Sequence, residues 1–161
     1  MLDFFNDVQN NTLPSVTIVK PSELVDGPPQ SSKLILFEAL LDRIVAQIRD
    51  NRELFKDTAI IVTWDESGGF YDSGFIQPVD FFGDGPRIPL LVISPFSRRG
   101  RVVHTYYDHV SITKFIERNW GLSPLSARSR DRLPNPTLGS TPYVPGNMPA
   151  IGDLMEMFQF N

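Results

Sequence analysis

Two carboxylates stand side by side in Trp64-Asp65-Glu66-Ser67-Gly68-Gly69-Phe70-Tyr71-Asp72, and two glycines follow them. Adjacent carboxylates repel, so both stay ionised only where a cation shares their charge. Hard divalent ions prefer oxygen ligands of this kind, and the glycines let backbone come close to a ligand. The plainer alternative is that Asp65 caps the turn and Glu66 is solvated. A second group, His104-Thr105-Tyr106-Tyr107-Asp108-His109, holds the only two histidines. Histidine can act as a general acid, donate to a phosphate oxygen or ligate a metal. A histidine near a helix start more often serves as a structural hydrogen-bonder, and Asp108 suits a helix N-cap better than a catalyst. His109, just inside that helix, would face an anion bound at its terminus. Arg98, Arg99 and Arg101 read as a solvated face. Arg87, in Gly85-Pro86-Arg87-Ile88-Pro89, reads as the partner of a nearby carboxylate. Neither a strand-to-helix serine elbow nor a glycine-rich phosphate loop with a lysine is present.

These groups need elements to position them. Thr58-Ala59-Ile60-Ile61-Val62-Thr63-Trp64 is a continuous apolar run, the pattern of a strand buried on both faces in a parallel sheet. Pro89-Leu90-Leu91-Val92-Ile93-Ser94 is a second such run. The loop between them exceeds twenty residues and is rich in Gly, Asp and Phe; structureless loops of that length are usually functional. Ligands in open α/β sheets gather beyond the carboxyl ends of the strands, where Asp65 and Glu66 emerge.

Val16-Thr17-Ile18-Val19 reads as a short strand, followed by a polar loop through Asp26-Gly27-Pro28-Pro29. A helix begins at Ser31 or Ser32, with Phe37, Leu40, Leu41, Ile44, Val45 and Ile48 on one face and Glu38, Asp42, Arg43 and Gln47 on the other. Asp108 caps another, with Ile112, Phe115, Ile116 and Trp120 as its apolar stripe and Gly121 as its end. Residues 123–150 are Pro- and Ser-rich and read as an extended surface wrap. A last short helix carries Ile151, Leu154, Met155 and Phe158. The order strand, helix, strand, strand, helix fits an α/β layer sheet.

The chain has 161 residues, enough for one domain with a sizeable core. A net charge of −4 and no long Lys/Arg run argue against nucleic acid as a partner. The absence of cysteine excludes disulfides, thiolate chemistry and Cys-based metal sites. No apolar stretch reaches transmembrane length, and the start Met1-Leu2-Asp3-Phe4-Phe5-Asn6-Asp7 lacks the features of a signal peptide.

Several blocks together resemble the phosphoesterase family of bacterial non-specific phospholipases C and acid phosphatases. They are Asp57 through Asp72, Gly85-Pro86-Arg87-Ile88-Pro89-Leu90-Leu91-Val92-Ile93-Ser94-Pro95-Phe96, Tyr107-Asp108-His109-Val110-Ser111-Ile112 and Ile151-Gly152-Asp153-Leu154-Met155. They are collinear and cover roughly residue 13 to the end. The resemblance implies an α/β fold, an alkaline-phosphatase-like three-layer α/β/α architecture present in part, as the C-terminal half of its sheet. It implies hydrolysis of phosphoesters, a phospholipid or small phosphate ester as substrate, and export to the periplasm or beyond. It also implies a divalent metal of open identity, to which Asp65 and Glu66 map. His109 and His104 would then be catalytic at most as substrate-facing or supporting groups.

Residues 1–161 would form the C-terminal portion of the phosphoesterase domain. The family's Glu-Asn metal ligands and its Thr or Ser nucleophile are not among these residues, so the chain reads as a piece of an enzyme. It departs further at Gly27-Pro28-Pro29, Ser67 and Ser73, where histidines or Asn are usual. The alternative is a non-catalytic, degenerate module for binding or assembly. A half-sheet would also expose apolar edges where its N-terminal half packs, inviting self-association.

Overall fold

The computed structural model describes residues 1–27 and 31–160 and divides the chain into two units. The polar-loop expectation at Pro28 and Pro29 lies outside the described residues.

The first unit comprises residues 1–70 and 89–95. It opens with α1 (Leu2–Asn10), which the sequence reading did not anticipate. Only Phe5 and Val8 of this helix are buried, and Asn11 ends it in the left-handed region at φ 57°. The run 16–19 forms no strand: Ile18 is 90% exposed and the Thr17 hydroxyl donates to Pro14 O at 3.2 Å. β-branched residues favour a strand only where another strand accepts the ladder, and the two described strands pair with each other.

Helix α2 (Leu34–Asp50) follows the expected period. Phe37, Leu40, Leu41, Ile44 and Val45 are half-buried and Ile48 is buried, while Glu38, Asp42 and Arg43 are exposed. It starts later than the serines suggest, because the Ser32 hydroxyl donates to Leu24 O at 2.9 Å rather than capping the helix. Asn51 joins three pieces of this unit. Its side-chain oxygen caps α3 (Arg52–Phe55) by accepting from Leu54 N, and its amide donates to Val8 O at 2.7 Å. The Arg43 guanidinium covers the Phe5 ring at 4.5 Å.

The two apolar runs form β1 (Ile60–Thr63) and β2 (Leu90–Ile93), paired antiparallel from Ile60 against Ile93 to Thr63 against Leu90. This corrects the expectation of parallel, doubly buried strands. An unbroken apolar run reports burial, not pairing direction. The intervening segment 64–89 carries no helix to return the chain to the starting edge, so the second strand comes back antiparallel. All four β1 residues are half-buried, and Leu91 of β2 is exposed. The secondary structure is thus mixed helix and sheet, compatible with the α/β class.

The second unit comprises residues 71–88 and 96–161 and holds α4 (Val110–Trp120). Asp108 caps α4 as the sequence suggests: its Oδ1 accepts from Val110 N at 2.8 Å and Ser111 N at 3.2 Å, and Ser111 Oγ accepts from Asp108 N in return. Gly121 ends the helix at φ 64°. The buried face of α4 differs from the expected one. Ser111, Lys114 and Glu117 are buried, whereas Ile112, Phe115 and Ile116 are half-buried and Trp120 is 47% exposed.

The last expected helix is replaced by an irregular strap with one 3-10 turn, Met155–Met157. Its apolar residues still reach the core, with Ile151 and Leu154 fully buried and Phe158 nearly so. Backbone bonds to distant segments hold it instead of a helical ladder: Ile151 N to Pro134 O, Gly152 N to Tyr106 O, and Gln159 N to Phe96 O.

Candidate functional site

The carboxylate pair leaves the end of β1 and turns at once. Phe70 N donates to Ser67 O at 3.0 Å, and Gly68 and Gly69 take φ of 62° and 78°, values that favour glycine. Trp64 and Phe70 pack their rings 5.7 Å apart across this turn. Asp65 and Glu66 are both exposed at the strand end.

Glu66 Oε2 accepts from Gly68 N at 2.9 Å, which fixes that side chain over its own turn. Asp65 Oδ2 accepts from the Lys20 ammonium at 2.9 Å. That hydrogen bond, with the accompanying charge, holds the Asp65 carboxyl below its usual range. A cation therefore already stands where the acidic pair concentrates negative charge, in the form of an ammonium. The remaining oxygens, Asp65 Oδ1 and Glu66 Oε1, are hard donors suited to a divalent ion. Two residues supply only part of a coordination shell. Among the described residues, no group of three or more His, Asp or Glu is placed to hold a metal.

The histidines belong to the second unit, while Asp65 and Glu66 belong to the first. His104 is exposed and meets the Tyr143 ring edge-on at 4.9 Å. The Arg87 guanidinium lies over the same ring, 6.0 Å from its centroid. His109 is exposed at the cap position of α4, where its side chain makes no capping bond. The two histidines thus occupy separate settings within their unit: one against an aromatic ring, the other at a helix start.

Arg87 pairs with a carboxylate as expected, and the partner is Asp72. Arg87 Nη2 donates to Asp72 Oδ1 at 2.7 Å and Nε to Oδ2 at 3.0 Å, while Arg87 N donates to Oδ2 at 2.8 Å. Hydrogen bonds from Arg87 and from Gly74 N depress the Asp72 carboxyl strongly. The brace closes the base of the segment 72–87 and leaves no room above Gly74, where a Cβ would run into the Arg87 guanidinium.

A second network was not legible in the sequence. Arg130 Nε donates to Asp80 Oδ2 at 2.6 Å and Nη2 to Gly83 O at 2.6 Å, while Nη1 lies 3.8 Å from Asp84 and 3.5 Å from Asp108. The Tyr106 hydroxyl donates to Asp84 Oδ2 at 2.9 Å and accepts from Gln77 N. Burial pushes Tyr106 up to about 12, so it remains a donor across the physiological range. Burial, with the Asp84 charge, pushes Asp108 up. Only the wealth of Gly, Asp and Phe in this loop hinted at these roles. The partner Arg130 sits 46–50 residues away, and no spacing rule reaches that far.

The sequence model of the Phosphoesterase family matches residues 1–123. The chain belongs to the phosphoesterase family. The match includes α1 and ends just beyond α4, so the Ile151 to Met155 block of the sequence resemblance lies outside it. This phosphoesterase chain is 33% identical over 145 residues to a Mycobacterium tuberculosis protein named phospholipase C B, an alignment covering 75% of the chain and 28% of that protein. It is 28% identical over 182 residues to the non-hemolytic phospholipase C of Burkholderia pseudomallei, covering 96% and 24%. It is 32% identical over 139 residues to the hemolytic phospholipase C of Pseudomonas aeruginosa, covering 72% and 19%. The phosphoesterase chain therefore spans less than a third of the length of these relatives. Among its described residues, no helix is long and apolar enough to cross a membrane.

Proposed function

We propose that this phosphoesterase chain contributes to hydrolysis of a phosphoester, with a phospholipid as the favoured substrate class. In this reading Asp65 and Glu66, in the first unit, are two ligands of a divalent cation. The observation that supports the metal assignment is that both carboxylates stand exposed side by side on the turn after β1, with Glu66 Oε2 held by Gly68 N. When bound, a divalent cation would neutralise charge developing on the phosphoryl group. The chain's own part is to present the two carboxylates ionised at a rigid turn. The Lys20 interaction keeps Asp65 ionised below its usual range, and the Gly68 amide holds Glu66. The attacking nucleophile would come from outside these residues, and export to the periplasm or beyond belongs to the same proposal.

Calorimetric titration of Mg²⁺, Ca²⁺ and Mn²⁺ into the chain, beside an Asp65→Ala/Glu66→Ala variant, tests this reading. Binding that disappears in the variant and strengthens in Lys20→Met supports it, because Lys20 competes for Asp65. Binding that survives the double variant overturns the assignment. Total absence of binding favours the second reading, a module for binding or assembly without catalysis. Ser67 and Ser73, at positions where the family usually has His or Asn, favour that second reading.

A further inference from the structure

We propose that Glu117 and Asp131 form a proton-held latch. One shared proton keeps the 3-10 turn Arg130–Arg132 against α4, and its loss frees that turn together with the loop 80–84 gripped by Arg130. The two carboxyls come from different elements, Glu117 from α4 and Asp131 from the turn, and are 8% and 4% exposed. Glu117 Oε1 and Asp131 Oδ1 are buried, and among the described residues neither accepts a hydrogen bond from an N–H or hydroxyl. Asp131 Oδ2 accepts from Leu125 N at 2.9 Å. Lys114, one turn earlier on α4, spends its ammonium on Leu133 O, Asn135 Oδ1 and Ile151 O. Adjacent buried carboxyls repel when both are ionised, so the pair holds one proton.

The surroundings place that proton on Glu117. Burial first, then the Asp131 bond and charge, push the Glu117 carboxyl up against the opposing charge of Lys114. Burial would also raise Asp131, but the Leu125 amide and the Ser129 hydroxyl outweigh it and hold that carboxyl down. Lys114 in turn faces Asp108 at the start of α4 and Asp153 on the C-terminal strap. Arg118, Arg128 and Arg132 are exposed, and residues 122–126 bring no titratable side chain.

The turn itself is the lever. Arg132 N donates to Ser129 O and Leu133 N to Arg130 O, so Arg130 and Asp131 ride on one hydrogen-bonded unit. Asp131 meets Glu117, while Arg130 donates to Asp80 Oδ2 and Gly83 O, each at 2.6 Å. As pH rises, Glu117 gives its proton to solvent and two buried negative charges face each other. Hydrating them parts Asp131 from α4 and carries the guanidinium away from the loop. The latch is therefore complete below the usual 4.5 of a glutamate and lost as pH rises through the higher folded-state value.

Amide hydrogen exchange at single-residue resolution, from about pH 5 to about pH 8 and expressed as protection relative to unstructured chain, tests the latch. Protection at Leu125, whose amide Asp131 holds, should fall by up to about tenfold per pH unit once Glu117 ionises, one proton per opening. Phe82 and Gly83, whose amides bond to Asp80, should fall with the same pH dependence. Gln159, bonded to Phe96 O in the same unit, should change less. In Glu117→Gln, protection at Leu125 should be flat across the range; if that variant does not fold, the parent series decides alone. Flat protection at Leu125 in the parent chain or an unaltered pH slope in Glu117→Gln would overturn the proposal. So would an equal loss at all four amides, which marks global unfolding, or a response at Leu125 that Phe82 and Gly83 ignore.

Discussion

In α2 the residues spaced for a core face turn inward, and Ile48 is 4% exposed at its end. In α4 the buried residues are Ser111, Lys114 and Glu117, while Trp120 of the apolar stripe is 47% exposed. Both sequences carry apolar residues at helical spacing, and the difference lies in what covers each helix. The segments against α4 are irregular, and their carbonyls lack a ladder to pair with. Lys114 answers them: its ammonium donates to Leu133 O at 2.7 Å, to Asn135 Oδ1 at 3.0 Å and to Ile151 O. Irregular chain needs donors, so the helix face beneath it is polar. Burial pulls the Lys114 ammonium below its usual range, yet three acceptors keep it bonded.

The sharpest way to break this contrast is Lys114→Met, which conserves the stem and removes all three donors. Leaving buried acceptors unpaired should cost about 3 kcal/mol or more, read as a lowered midpoint in urea. A loss under about 1 kcal/mol would mean that water replaces the ammonium and that the polar face is incidental. In α2, Ile48→Ala should cost about 2–4 kcal/mol by ordinary loss of apolar burial. The two variants should lose similar stability for opposite chemical reasons.

This contrast also explains what could be read in advance. The register of α2, the two apolar runs, the Asp108 cap and the Gly121 stop were legible because each depends on residues within a few positions. The same holds for the carboxylate turn at Asp65 and Glu66. Lys114, Arg130 and Gln77 were not legible, because each acts on oxygens or amides 18 or more residues away. The run 16–19 and the final helix were misread for a related reason. Their local pattern is real, but backbone partners from elsewhere decide the conformation. Leu154 sits at φ 62°, which no apolar period announces.

Glu117 sharpens the comparison through pH. It is 8% exposed and Asp131, its hydrogen-bonded neighbour, 4%. Burial first, then the Asp131 bond and charge, push the Glu117 carboxyl above its usual 4.5. Lys114, one turn earlier on α4, acts the other way, and the Leu125 amide also opposes the shift. A raised folded-state pKa means that the stability tied to this proton is complete below 4.5 and lost as pH rises through the folded value. Glu117→Gln keeps the neutral shape and the donor at every pH. Urea midpoints from about pH 4 to about pH 8 should decline for the parent chain and stay flatter for the variant. Parallel curves would mean that Glu117 is ionised beside Asp131 throughout.

The smallest effect is expected at a residue that the sequence places on an apolar stripe. Trp120 completes the apolar stripe of α4, and a tryptophan in a core typically costs about 3–5 kcal/mol when cut to alanine. Here the side chain is half in water, on the last helical residue before Gly121. Trp120→Ala should therefore lower stability by less than about 1 kcal/mol. Thermal denaturation beside Lys114→Met ranks the two faces directly. If the tryptophan variant proves the weaker of the pair, α4 is held by its apolar stripe after all. The buried lysine would then be a consequence of the packing rather than a cause of it.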